Sequence, residues 1–272
     1  MKKILQISLW LLLFAGVIVI TGFAITEKKS VKCTKLDVFV NDVQPITFIN
    51  QTEIYGIIQN NFGTLPGQLL KNINTGQIEN ILEKNPYIED ANVYTSLLGE
   101  ITVDVTREKP LVRIINSVNE SYYLSQNGKP MPVKEGFTYR AILASGFISD
   151  NYSNIMYRTF SCDSGNVVCK DILSKIHRLA GVIEKDKWLN EAIAQIYINQ
   201  EGEIELVPAK GDFLIILGGV EDIEVRLENL KAFYCAGLPK FDKEKLESIN
   251  LKFKNQVVCK KSQKIWNQET SS

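Results

Sequence analysis

The chain has 272 residues, 31 basic and 31 acidic, with a single histidine. That balance leaves no cationic surplus for nucleic acid. One histidine leaves little for a Ser-His-Asp hydrolase or a histidine-rich metal site.

Residues Ile4 to Ile25 carry no charged side chain. At about 1.5 Å per residue this stretch matches a hydrocarbon core of roughly 30 Å. A transmembrane anchor over 4–25 is expected, with a cytoplasmic tail of 1–3. The competing reading is a cleaved signal peptide, for which Gly22 and Ala24 supply a small-x-small pattern; its apolar core usually runs only roughly 7–15 residues. Lys2 and Lys3 favour an inside N-terminus, whereas Lys28, Lys29, Lys32 and Lys35 pull the other way. The exported character of the C-terminal sequence decides for N-terminus inside. Without Lys2 and Lys3, 29 basic residues face 31 acidic ones, so the remainder is nearly neutral. The chain beyond the anchor suffices for two small domains.

Leu36, Val38 and Val40 alternate with Asp37, Phe39 and Asn41, predicting a strand over Leu36–Val40. A loop with Pro45 comes next. Thr52 is the expected cap of a helix carrying Ile54, Ile57, Ile58 and Phe62 on one face. Gly63, Pro66 and Gly67 break it, and Gln68–Ile73 reads as a short turn. Ile78, Ile81 and Leu82 repeat at helical spacing until Asn85-Pro86, where the residue before proline leaves the α region. Ala91–Tyr94 opens a strand, Leu98-Gly99-Glu100 turns, and Ile101, Val103 and Val105 alternate with Thr102, Asp104 and Thr106. Such a hairpin needs a third strand and a cover. The order is strand, helix, helix, strand, strand, with two helices on one sheet face and the other face wet.

The order, with NPYIEDANV and LGEITVDVTREKP at its end, resembles a POTRA module. One such module directly after an N-terminal anchor resembles the FtsQ/DivIB family of bacterial division proteins, and Arg107–Pro110 resembles that family's junction between domains.

Beyond the junction, Tyr122–Ser125 and Ala141–Gly146 read as strands. Ile172, Ile176, Leu179 and Ile183 mark an amphipathic helix. Trp188-Leu189 leads to a hairpin of Ile193–Ile198 and Glu203–Val207. Phe213–Leu217 reads as a continuous apolar strand, and Ile223, Leu227 and Leu230 as a helix ending near Gly237. Ile249–Cys259 reads as one final strand. The runs EIELVPAKGDFLIILG, DIEVRLENLKAFYCAGL and INLKFKNQVVCKK resemble the family's C-terminal β-domain, especially in its Bacteroidetes versions. The expected fold class is α+β: an N-terminal transmembrane helix, a POTRA domain (36–110, β-α-α-β-β), then a mostly antiparallel β-domain with flanking helices (111–261). Residues 262–272 form a polar tail expected to be frayed.

Five cysteines cannot all pair within one chain. Cys162 and Cys169 could close a short loop, a pairing the sequence leaves open; Cys235 and Cys259 are expected unpaired and buried. No metal or cofactor site is expected. His177 sits in a helix as a surface or half-buried side chain, and no GxSxG motif occurs. Gly218-Gly219 lacks the Lys and Ser/Thr of a phosphate loop and reads as a strand-to-helix turn.

The candidate functional element is the final strand, because a sheet edge offers unpaired N–H and C=O groups to another chain. The family resemblance implies docking there of FtsB, itself paired with FtsL, with Phe253, Asn255, Gln256, Val257 and Val258 in the matching positions. The competing reading makes Val257–Cys259 core only. The wet POTRA face and Leu36–Val40 form a second expected surface, for other division proteins. The resemblance implies a non-enzymatic scaffold in the inner membrane with its bulk in the periplasm. An envelope chaperone bearing POTRA modules and an anchored periplasmic hydrolase are the alternatives.

Overall fold

The computed structural model describes residues 10, 12–18, 31–41, 48–162, 169, 171–237, 246–254 and 256–261. The cytoplasmic tail, most of the expected anchor, the Pro45 loop and the polar tail lie outside the described residues. Trp10 and residues 12–18 are helical, with Trp10, Leu12, Leu13 and Phe14 exposed. Among the described residues no helix is long and apolar enough to cross a membrane. The chain divides into two compact units between Arg107 and Glu108.

In the first unit, β1 (Lys35–Asn41) precedes α1 (Gln51–Phe62), α2 (Thr75–Glu83), β2 (Ile88–Thr95) and β3 (Glu100–Arg107). The sheet order is β1-β3-β2, with β1 parallel and β2 antiparallel to β3. Returning parallel requires a crossover, which the two helices provide. Val38, Val93, Val103 and Val105 bury against Ile54, Ile58, Ile78 and Leu82. Phe39 and Tyr94 remain about half exposed on the opposite face, the wet face expected from the alternation. The cap of α1 is Asn50, not Thr52. Its side chain accepts from the Glu53 N–H while the Glu53 carboxylate accepts from the Asn50 N–H, both at 2.9 Å. This reciprocal pair satisfies two donors, which a lone threonine inside the first turn cannot do.

The second unit carries β4 (Pro110–Ile115), β5 (Ser121–Ser125), β6 (Pro130–Pro132), β7 (Ile142–Gly146), α3 (Tyr152–Ile155), α4 (Ile172–Lys185), α5 (Lys187–Ala192), β8 (Ile193–Ile198), β9 (Ile204–Pro208), β10 (Leu214–Gly218), α6 (Ile223–Ala232), β11 (Leu246–Asn250) and β12 (Val258–Lys261). Its strands form one sheet in the order β12-β11-β10-β9-β8-β7-β4-β5-β6. Five of the eight pairings are antiparallel; β4–β7, β7–β8 and β10–β11 are parallel. Leu173, Ile176, Leu179 and Ile183 of α4 and Ile223, Leu227 and Leu230 of α6 bury in the core with the inward strand residues. Asp171 and Asp186 cap α4 and α5 by accepting from the Ser174 and Leu189 N–H groups. At Gly146 (φ +109°) an added Cβ would lie 2.1 Å from the Ile198 carbonyl oxygen, so only glycine lets β7 and β8 approach.

The apolar run Phe213–Leu217 forms β10 as expected, with Leu214 exposed while Phe213, Ile215 and Leu217 are buried. Two expectations of this unit need correction. Ile249–Cys259 is not one strand; the chain leaves β11 after Asn250 and returns antiparallel as β12. Cys235 is exposed and Cys259 half-buried rather than both buried. Cys235 falls in the π-helical turn Phe233–Gly237 that ends α6, where the buried stripe of the helix has run out. Cys162 and Cys169 are disulfide-bonded, their Cα atoms 5.1 Å apart.

Candidate functional site

A sheet of nine strands has two edges, and their chemistry differs. At one end lies β6, whose three residues are Pro130, Met131 and Pro132. Proline has no N–H, so Tyr123 and Met131, which stand opposite each other, form the hydrogen-bonded pair. Pro130 and Pro132 then occupy the outward positions. The Ser125 N–H bond to the Lys129 carbonyl, 2.9 Å, fits the same alternation. Neither outward residue offers a donor and Pro130 is itself buried, so this edge is closed to strand addition.

The other edge is β12. Its register sets Val258 opposite Asn250, Cys259 opposite Ile249 and Lys260 opposite Ser248. The Leu251 N–H donates to the Ile216 carbonyl at 2.9 Å, so alternate residues Ile249 and Leu251 bond toward β10. Asn250 and Ser248 therefore bond toward β12, to Val258 and Lys260. The N–H and C=O of Cys259 point away from β11. Among the described residues no strand pairs with that outer side.

The expected site residues distribute unevenly around this edge. Phe253 is 49% exposed in the turn after β11, and Gln256 is exposed. Val257 packs partly against the core. Val258 is 43% exposed at the start of β12. Asn255 lies outside the described residues. Phe253, Gln256 and Val258 thus share the last turn and edge, while Val257 is largely structural. Sequence reasoning did not single out Cys259, whose backbone points to the outer side. Its thiol packs against the core and burial pushes its pKa up.

Charge surrounds the edge. Lys252 meets Glu203 at 2.5 Å and Lys260 meets Glu247 at 2.7 Å, while Lys254 and Lys261 are exposed. Exposed pairs of this kind contribute about 0–1 kcal/mol; they fix orientation more than stability. Edge lysines also discourage indiscriminate strand pairing.

The first unit treats its edges differently. On β1, the Leu36 carbonyl accepts from the Tyr55 hydroxyl (2.7 Å) and the Val38 carbonyl from Gln51 Nε2 (3.0 Å). On β2, the Val93 N–H donates to Glu79 at 2.7 Å. Helix side chains thus occupy these backbone groups on both outer strands, so an added strand would have to displace them.

A cavity of about 590 Å³ in the second unit is lined by Leu111, Gln126, His177, Arg178, Glu184 and Glu224, among others. His177 Nε2 lies 3.1 and 3.0 Å from the carbonyl oxygens of Ser125 and Gln126. Both are acceptors, so Nε2 carries the proton and donates. Burial holds the imidazole pKa below its usual value, against the two backbone bonds that raise it. This histidine ties α4 to the end of β5, and its Nε2 is not available as a base.

A family model described as FtsQ/DivIB, C-terminal related, matches residues 109–260, more than half of the chain. A POTRA-like domain model matches residues 31–106. No curated protein matches the chain.

Proposed function

The chain belongs to the FtsQ/DivIB-related family, whose members are cell-division scaffolds, and we propose that it recruits a FtsB/FtsL-type partner by adding a foreign strand to β12. The observation that carries this reading is the contrast between the sheet edges. The outer side of β6 is closed by Pro130 and Pro132, whereas β12 presents the Cys259 N–H and C=O beside exposed Phe253 and Val258. Main-chain bonds give such a complex its affinity, and flanking side chains give it selectivity. The protein holds its partners beside the septal wall-synthesis enzymes and performs no chemistry of its own. His177, committed to two carbonyls, favours that non-enzymatic reading.

The proposed location is the inner membrane, single-pass, with both folded units in the periplasm. The uncharged run Ile4–Ile25 and the exposed apolar helix residues at 10 and 12–18 support an anchor. The Cys162–Cys169 disulfide supports an oxidising compartment. Anchoring confines the partners to two dimensions and raises their effective concentration. Other division proteins are proposed to use the first unit through its wet face, since its strand edges are occupied.

A photo-crosslinking side chain at Val258 should capture the FtsB/FtsL-type partner in cells, and one at Val118 should not. A fluorescent fusion should gather at midcell. An even envelope signal with no partner captured at Val258 would reject the division reading and favour the envelope chaperone.

A further inference from the structure

We propose that the tip of the β2–β3 hairpin rests in the surface of an anionic phospholipid bilayer, an inference that depends on residues 4–25 being a membrane anchor. Leu97 and Leu98 form the tip and are 80% and 78% exposed. Singly exposed leucines are ordinary; two adjacent ones at the apex of a turn form a small apolar wedge. Much of the backbone beneath them is already hydrogen-bonded. The Ser96 hydroxyl accepts from the N–H groups of Leu98 (3.2 Å) and Glu100 (3.1 Å), and the Ser96 carbonyl accepts from Gly99 (3.2 Å). The Gly99 carbonyl accepts from the Thr34 N–H at 2.9 Å. Entering an interfacial layer therefore strips water from few unpaired polar groups.

The topology sets this tip at the N-terminal entry of the unit. Parallel pairing sets Lys35 opposite Glu100, so the chain enters the unit at the end where the hairpin turns. Val31 and Cys33 are tied to residues 67–70 by backbone bonds of 2.7 to 3.0 Å, and a Cβ on Gly99 (φ +91°) would lie 2.4 Å from the Lys32 carbonyl. Only five residues separate Ile25 from Val31. Six steps of at most 3.3–3.6 Å keep Val31 within about 20 Å of the end of the apolar run. Lys32 and Lys35 are exposed beside the backbone that supports the tip, with Lys35 paired to Asp37 at 2.8 Å, and Lys28 and Lys29 precede them in the sequence after Glu27. A lysine-rich stretch beside a bilayer favours anionic headgroups, and interfacial apolar groups settle roughly 5–10 Å deep.

The test uses the full chain in vesicles of phosphatidylcholine with or without phosphatidylglycerol. Leu97→Cys, in a Cys235→Ser Cys259→Ser background, carries an environment-sensitive fluorophore. Tyr157→Cys, at a position 88% exposed in the second unit, is the control. The expected result is blue-shifted emission at 97, quenched by a lipid spin-labelled near the headgroup, stronger with phosphatidylglycerol and weakened by salt; the control stays unshifted and unquenched. Vesicles that float with the protein while position 97 matches the control overturn the tip contact alone. A blue shift without lipid quenching points to a protein on the tip and also overturns it. Quenching that is equal in neutral vesicles overturns the anionic preference. Protein that does not float overturns the anchor reading and this proposal together.

Discussion

Replacing Cys259 with proline deletes one N–H that β12 directs away from β11. Its register partner Ile249 bonds toward β10, so no internal ladder bond is lost, and edge strands accept proline at such positions. Stability should change by less than about 1 kcal/mol, or roughly 2–4 °C in Tm for a unit of this size. A docked strand loses one hydrogen bond, about 0.5–1.5 kcal/mol net, and also meets the ring at the interstrand spacing of roughly 4.8 Å. The combined effect should weaken Kd at least about tenfold. Val258→Pro behaves differently: Val258 bonds to Asn250, so its N–H is internal, and the change should lower Tm as well as affinity. Cys259→Ala keeps the N–H and serves as the control for the lost thiol. Titration of the full chain in detergent with the proposed FtsB/FtsL-type partner, alongside thermal unfolding, measures both quantities. If Cys259→Pro binds like Cys259→Ala at unchanged Tm, backbone docking on this edge is refuted.

The same structure sets further expectations. Denatured, unreduced protein should show three free thiols rather than five; replacing the disulfide with Cys162→Ser and Cys169→Ser should cost about 2–3 kcal/mol, the loop-closure value for a short loop. The Tyr234 hydroxyl is buried with no hydrogen-bond partner among the described residues, and burial pushes its pKa up to about 12. Tyr234→Phe keeps the edge-on contact with Trp188 and should hold Tm constant or raise it by up to about 1 kcal/mol equivalent. The pKa of His177 is lower folded than the unfolded value of 6.5, so the unfolded state binds the proton first. Its contribution is complete above pH 6.5 and declines as pH falls through the folded pKa. Relative to His177→Gln, the wild type should lose stability on acidification, as denaturant titrations at several pH values would show. Gly146→Ala should destabilise the second unit by more than about 3 kcal/mol, since it combines a positive φ with a backbone clash.

Much of this protein was settled locally, within a few residues of chain. The alternation of Ile101, Val103 and Val105 and the spacing of Ile176, Leu179 and Ile183 each report a buried face directly, because side-chain direction repeats every two residues in a strand and every 3.6 in a helix. The order strand, helix, helix, strand, strand came from such runs, and so did the turn at Leu98-Gly99. Edge status carries no local signature of this kind. The outer side of β12 is open because β11 is held by Ile216, more than thirty residues earlier, and because the chain doubles back between Leu251 and Val257. Neither fact is visible in INLKFKNQVVCKK, which alternates well enough to pass for one strand. Which carbonyls of β1 are taken by Gln51 and Tyr55, and which N–H of β12 is left over, likewise depend on pairing between distant segments. Periodicity tells each residue which face it belongs to; only the assembled sheet decides which backbone is left without a neighbour.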